Sequence, residues 1–300
     1  MAIIRPLILT GMTFVLTTSM ASAGWREDIG VFRIGVVARP GAGAVVEGAE
    51  PIKQAYSNAL GMPVDIYVAR DYADLIDAQT SGRIEYAIHT SLSYATAALQ
   101  CACVTPLVAP LSDDGTSGIR SALISTANGP RDRDELGGHR IAFGPDDSTS
   151  AAMLPIAGFR SGGQALRGNE DFLVRAASET QALQMVVDGK ADAIFGFMPS
   201  IKDERPSTGG TLNKLADAGV ENPSVLWTSD FIRHGPHAVR MSLPQEARQA
   251  LINFLTGLRD NDSQVYDYVE RRFGGGFAIA KPDEYLAAIA LARSVAARDE

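Results

Sequence analysis

The chain is poor in thiols: 300 residues carry two cysteines, Cys101 and Cys103, both in the hexapeptide LQCACV. No thioredoxin-like unit surrounds this C-x-C, so thiol-redox enzymology has little support. Basic runs are missing. Lys and Arg total 27 against 35 Asp and Glu, a net charge of −8. That balance argues against nucleic acid as a partner and against an anionic membrane surface. Histidine is scarce and scattered, at 89, 139, 234 and 237. His234-x-x-His237 has metal-site spacing, but no cysteine or carboxylate cluster accompanies it in sequence, and a surface loop near an inter-lobe crossing is the expectation there. No G-x-S-x-G, P-loop or dinucleotide fingerprint stands in its proper context. Ser150 has no base and acid placed for a triad. The expectation is a non-enzyme without metal or cofactor. Long apolar runs are confined to the N-terminus, and no fixed-period repeat or low-complexity tract occurs.

The exception at the N-terminus is informative. Arg5 precedes an apolar stretch from Pro6 to about Met20, and Ala21-Ser22-Ala23 fits a small-x-small cleavage site. Residues 1–23 read as a secretory signal peptide, too short and too broken by Gly and Thr to span a bilayer. The expected location is the periplasm. No cysteine follows the cleavage site to carry a lipid. The remaining 277 residues suffice for two lobes with separate cores.

VFRIGVVA (31–38) reads as a buried strand, 49–60 as a helix ended by Gly61, and MPVDIYVA (62–69) as a second strand. Asp71 caps a helix over 72–79. IEYAIH (84–89) is a third strand, Thr90-Ser91 opens the helix LSYATAALQ, and VTPLVAPL follows. This alternation predicts an α/β fold with a mainly parallel sheet. A second α/β run begins near Thr126. The turns SGRIEYAI and DGKADAIF repeat one plan in the two halves. The prediction is two lobes, 31–125 with 230–300 and 126–229, with a ligand cleft between strand ends.

LGGHRIAFGPDDSTS (136–150) places Ser148, Thr149 and Ser150 where a strand ends and a helix begins. The first N–H groups of a helix lack internal partners. With three hydroxyls they make a donor-rich cradle for a small oxyacid. An ordinary N-cap would use the same residue types. Together with DYADLIDA (71–78), G-R-x-E-x-A (82–87), SETQAL (178–183) and VVDGKADAIFG (186–196), this triplet makes the chain resemble the periplasmic binding proteins of the phosphonate/phosphite/phosphate class, two-lobed Venus flytraps.

The resemblance implies that Ser148, Thr149 and Ser150 hold the oxyacid oxygens. It implies ligand contacts for Tyr72 at a helix start, for His89 at a strand end, and for Glu179 at an acidic position that meets a ligand amine. Relatives usually have Gly where Ala151 stands and often His where Ser178 stands. Arg39 is the cation that follows the first strand; the matched cleft positions carry no other, which suits a neutral oxyacid better than a dianion. The C-x-C pair is similar to the arsenite-sensing branch of the class, whose members work beside a membrane sensor histidine kinase. Arsenite, the neutral As(OH)₃, is therefore the leading expected ligand. Phosphite or phosphonate handed to an ABC permease is the alternative. For Cys101 and Cys103 three readings stand. A disulfide remote from the cleft needs a kink at Ala102, because residues i and i+2 of a strand lie about 6.6 Å apart. Thiols binding arsenic would need the segment to fold back over about 13 Å of helix. Buried free thiols are the third.

Overall fold

In the computed structural model, residues 24–37, 45–146, 148–201 and 209–297 are described. The leader at 1–23 and Arg39 lie outside them. Helix α1 (Trp25–Ile29) leads into β1 (Phe32–Val37), α2 (Ala49–Leu60), β2 (Val64–Ala69), α3 (Tyr72–Thr80), β3 (Tyr86–Ile88), α4 (Ser91–Cys101) and β4 (Val104–Pro110). After a crossing come β5 (Gly118–Ser125), β6 (Ile141–Phe143), a π-helical turn (Thr149–Met153) that runs into α5 (Leu154–Gly158), and the hairpin β7 (Arg160–Ser161) with β8 (Gln164–Ala165). Then follow β9 (Leu173–Arg175), α6 (Glu179–Val187), β10 (Ala193–Ser200), α7 (Thr211–Asp217), β11 (Ser224–Thr228) and β12 (Ile232–Arg233). The chain returns through β13 (His237–Arg240), α8 (Gln245–Asn261), α9 (Ser263–Val269), β14 (Phe277–Ile279), a short 3₁₀ turn (Pro282–Tyr285) and α10 (Leu286–Ala296).

Two six-residue runs of β-branched and apolar residues, FRIGVV and VDIYVA, pair in parallel in full register. Gly35 leaves room within the first for two buried neighbours, since a Cβ there would lie 2.3 Å from Ile84 Cδ1 and 2.7 Å from Leu75 Cδ1 and displace them. Asp71 caps α3 by accepting from the Asp74 N–H at 2.8 Å, a contribution of about 1 kcal/mol. The first sheet runs β14-β4-β13-β3-β1-β2 and the second β11-β5-β10-β6-β9, with β12 also on β5. Each has its own core. Phe32, Ile34, Tyr56, Tyr86, Leu251 and Leu255 fill the first lobe, sandwiched by α2, α8 and α9. In the second, Phe143, Phe159, Phe195 and Trp227 meet edge to face at 5.1–5.8 Å along successive pairs. This is the expected α/β two-lobed architecture.

Three expectations are corrected. The first sheet is not mainly parallel. β13, buried over its first three residues, inserts antiparallel between β3 and β4 and separates them. Because β5 and β12 hydrogen-bond into the second sheet, the crossings lie between Pro110 and Gly118 and between Arg233 and His237, earlier and later than the boundaries at 125/126 and 229/230. The His234–His237 stretch is no surface loop either: it is the return crossing, with His237 fully buried and His234 9% exposed.

Cys101 and Cys103 are joined in a disulfide with Cα atoms 5.0 Å apart. Ala102 supplies the kink, at φ +47°. The pair closes the far end of α4 against Tyr94, Val104 and Tyr285. Ten helical steps, about 15 Å, separate it from Ser91. The arsenic-ligand and free-thiol readings fail for this state. Among the described residues no helix is long and apolar enough to cross a membrane.

Candidate functional site

Two helices aim their N-termini at one space between the lobes. From the first lobe comes α4. Thr90 caps it and forms a reciprocal pair with Ser93, and among the described residues no protein acceptor takes the Ser91 or Leu92 amide at its first turn. From the second comes the segment after β6. The Ser148 hydroxyl accepts the Ala151 N–H at 3.0 Å, and the wider i→i+5 turn is closed by Met153 N–H to Ser148 O at 2.9 Å. Among the described residues, no protein acceptor takes the Thr149 or Ser150 amide. Gly144 makes this turn possible: a Cβ there would meet the Ala151 methyl at 2.5 Å. Ala151 is therefore accommodated by a glycine on the facing loop.

The space between is a cleft of about 560 Å³ lined by both lobes. Ser148, Thr149, Ser150, Tyr72, His89 and Glu179 all line it. Ser148 and Ser150 donate to Glu179 Oε1 at 2.6 and 3.0 Å. Expected as separate ligand contacts, the three side chains form one unit within the second lobe. Tyr72, the first residue of α3, is 42% exposed on the opposite wall.

His89 is brought to the cleft wall but not as a ligand contact. Its ring nitrogens are both engaged, Nδ1 with Ser93 Oγ at 3.0 Å and Nε2 with Gln79 Oε1 at 2.8 Å. Gln79 donates its amide to Ala238 O, which makes Oε1 the acceptor and puts the His89 proton on Nε2. Burial lowers the His89 pKa to about 3. A neutral imidazole with no spare N–H serves to fix the Thr90–Ser93 cap, and the expected ligand role is withdrawn.

Several lining residues escaped the sequence. Thr90 and Ser91 were legible as a helix start; the Ser91 hydroxyl donates to Arg233 O across the crossing. Glu270, Arg272 and Ser112 had no local signal, and His234 was visible only in the His234-x-x-His237 spacing; all four arrive through the fold. Beyond the positions matched by the resemblance, the fold brings two more cations to the cleft. Arg233 and Arg272 both line it. Arg233 is buried and ion-paired with Glu284 at 3.3 Å, so its charge is compensated. Arg272 is exposed, with its guanidinium 5.5 Å from the Phe273 ring. Its backbone N–H donates to Glu270 Oε1 at 2.8 Å, and burial holds the Glu270 carboxyl above its usual pKa. His234 stacks on Phe273 at 4.0 Å. Burial, helped by Arg233 and Arg272, lowers its pKa to about 4. Among the described residues the cleft thus offers N–H donors at two helix starts, two carboxylates and one exposed cation.

The model of the family "ABC transporter, phosphonate, periplasmic substrate-binding protein" matches residues 34–285. The phosphate-import protein PhnD of Mycolicibacterium smegmatis is 26% identical over 251 residues, covering 78% of this chain and 73% of that protein. The phosphonates-binding periplasmic protein of Escherichia coli is 24% identical over 257 residues, covering 84% and 73%. Among solved structures, XAC2383 of Xanthomonas citri bound to chloride superposes with a TM-score of 0.60 at 14% identity, covering 90% of this chain and 99% of that one.

Proposed function

The chain belongs to the phosphonate-type family of periplasmic substrate-binding proteins of ABC transporters, and from that premise we propose that it captures a small phosphorus oxyacid in the inter-lobe cleft and delivers it to an ABC permease. The observation that carries this reading is the pair of helix N-termini, at Ser91–Leu92 and Thr149–Ser150, aimed from opposite lobes into one cleft. Oxyacid oxygens bind where unpaired N–H groups and positive helix ends coincide. A ligand held from both sides favours the closed arrangement over the open one, and its differential contacts drive closure.

Glu179 narrows the ligand. Its carboxylate already takes two hydroxyl protons, and a fully ionised oxyanion placed on the same serines would face it. A ligand bearing its own donor, an ammonium or an acidic O–H, meets Glu179 favourably. That favours aminophosphonates and singly charged phosphonates over phosphate dianion. The same feature supports a second reading, arsenous acid, whose three O–H groups are donors and whose neutrality asks for no cation. In that reading the closed form signals to a membrane histidine kinase rather than to a permease.

Calorimetric titration of the mature protein with methylphosphonate, 2-aminoethylphosphonate, phosphite, phosphate and arsenite, with and without reductant, separates these. Phosphonate binding independent of reductant supports the first reading. Arsenite binding without phosphonate binding refutes it and favours the second. Arsenite binding only after reduction makes the opened Cys101–Cys103 pair the ligand and refutes a cleft site for it.

A further inference from the structure

A second space of about 490 Å³ opens in the first lobe and meets the oxyacid cleft at Tyr72 and Ile88, which line both. Its walls are apolar, with Val36 and Ile66 from neighbouring parallel strands and the ring of Tyr56 from α2. The Tyr56 hydroxyl bonds Tyr86 Oη at 2.9 Å and is buried in the lobe's core, so the face that Tyr56 turns to the chamber is its ring. The polar groups at this space include Glu47 and Arg271, ion-paired to each other at 2.7 Å.

Parallel strands are ordinarily covered on both faces. Here Val36, Ile66 and Ile88 pack against the core and yet remain only partly buried. A tetrahedral oxyacid fills roughly three water volumes, about 90 Å³, far less than the two spaces together. The oxyacid site therefore continues into a hydrophobic chamber that an inorganic anion does not use.

We infer that this chamber is a side-chain subsite and that the ligand class is organophosphonates carrying an apolar alkyl or aryl substituent, with the phosphonate head on the helix N-termini and the substituent running past Tyr72 and Ile88 onto Val36 and Ile66. This rests on the phosphonate reading above and sharpens it. Each methylene moved from water into such a chamber strengthens binding about fourfold, so butylphosphonate binds at least tenfold more tightly than methylphosphonate.

The test is a calorimetric series of methyl-, propyl-, butyl- and phenylphosphonate on the mature protein, repeated on Val36→Phe and Ile66→Phe, which fill the chamber and leave the oxyacid cleft alone. The expected result is affinity rising with substituent size in the wild type, with the gain lost in both variants and methylphosphonate unaffected. Equal affinities across the wild-type series overturn the chamber and leave the phosphonate function standing. A gain that persists in both variants also overturns it, since the substituent then lies elsewhere. Failure of every phosphonate, methylphosphonate included, overturns the function and the chamber together. The wild-type series decides even if a variant does not fold.

Discussion

Acidification from pH 7 to pH 5 should destabilise the protein through three buried histidines. His89, His234 and His237 are 5%, 9% and 0% exposed, and burial lowers their pKa values to about 3, 4 and 3. In the unfolded chain each titrates near 6.5. Below that value the unfolded state binds protons that the folded state refuses, so stability is fully present above 6.5 and is lost as the pH falls. At pH 5 each histidine costs about 2 kcal/mol on that basis, and three together about 6 kcal/mol, against a total stability of about 5–15 kcal/mol for a typical domain. Glu85 and Glu270, whose carboxyls burial raises, offset part of this. Carboxylates held low by partners, such as Asp74 and Asp192, add their losses only nearer pH 4. Urea unfolding followed by circular dichroism at pH 7, 6 and 5 should show a net loss of at least about 3 kcal/mol. Unfolding at pH 5 should take up more than one proton by calorimetry in buffers of different ionisation enthalpy. A flat profile, or uptake below one proton, would refute the claim that these imidazoles are held neutral.

Glu179→Gln should weaken 2-aminoethylphosphonate at least tenfold while sparing or strengthening methylphosphonate, as titration would reveal; equal losses for both would mean the carboxylate only positions Ser148 and Ser150. Gly235→Ala drives a Cβ to 2.0 Å from His89 O and 2.7 Å from the Thr90 Cα. Because both are backbone atoms at the α4 cap, the variant should lose about 1–3 kcal/mol in denaturant unfolding and bind more weakly. Replacing both Cys101 and Cys103 by Ser should lower stability by about 1–2 kcal/mol on the loop-closure model and leave phosphonate affinity within twofold; a tenfold change would show that the disulfide reports to the cleft.

Much of the fold was legible because its signals are local. The helix at 49–60 and the capped helix after Asp71 stand where the pattern put them, since apolar spacing and capping residues act within one or two turns. The place of β13 was not legible. Its pairing partners lie about 130 to 150 residues away in sequence, and nothing in HAVR says that it will wedge between β3 and β4. The same limit applied to the cleft. Ser148, Thr149 and Ser150 were readable from a strand-to-helix junction, whereas Glu270 and Arg272 reach the cleft from a loop with no motif. His89 was misread because its position at a strand end was visible and its two partners, Gln79 and Ser93, were not. Cys101 and Cys103 were legible only in part. Reach alone said that a disulfide between residues two apart would call for a kink at Ala102, but it did not choose between the disulfide, the arsenic-ligand and the free-thiol readings.

The last helix carries a consequence for how the molecule comes apart. Ala288, Leu291 and Ala292 of α10 share one apolar cluster with Ala95 of the first lobe and with Leu154 and Ile232 of the second. Two lobes joined only by crossing strands could melt one after the other. A helix seated on both makes their melting a joint event, because neither can lose its structure without stripping a face of α10. The full chain should therefore unfold in a single cooperative transition. A chain ending before Leu286 should unfold in two, and because Leu92 and Ile232 of the cleft wall share that cluster with α10, its ligand affinity should fall as well.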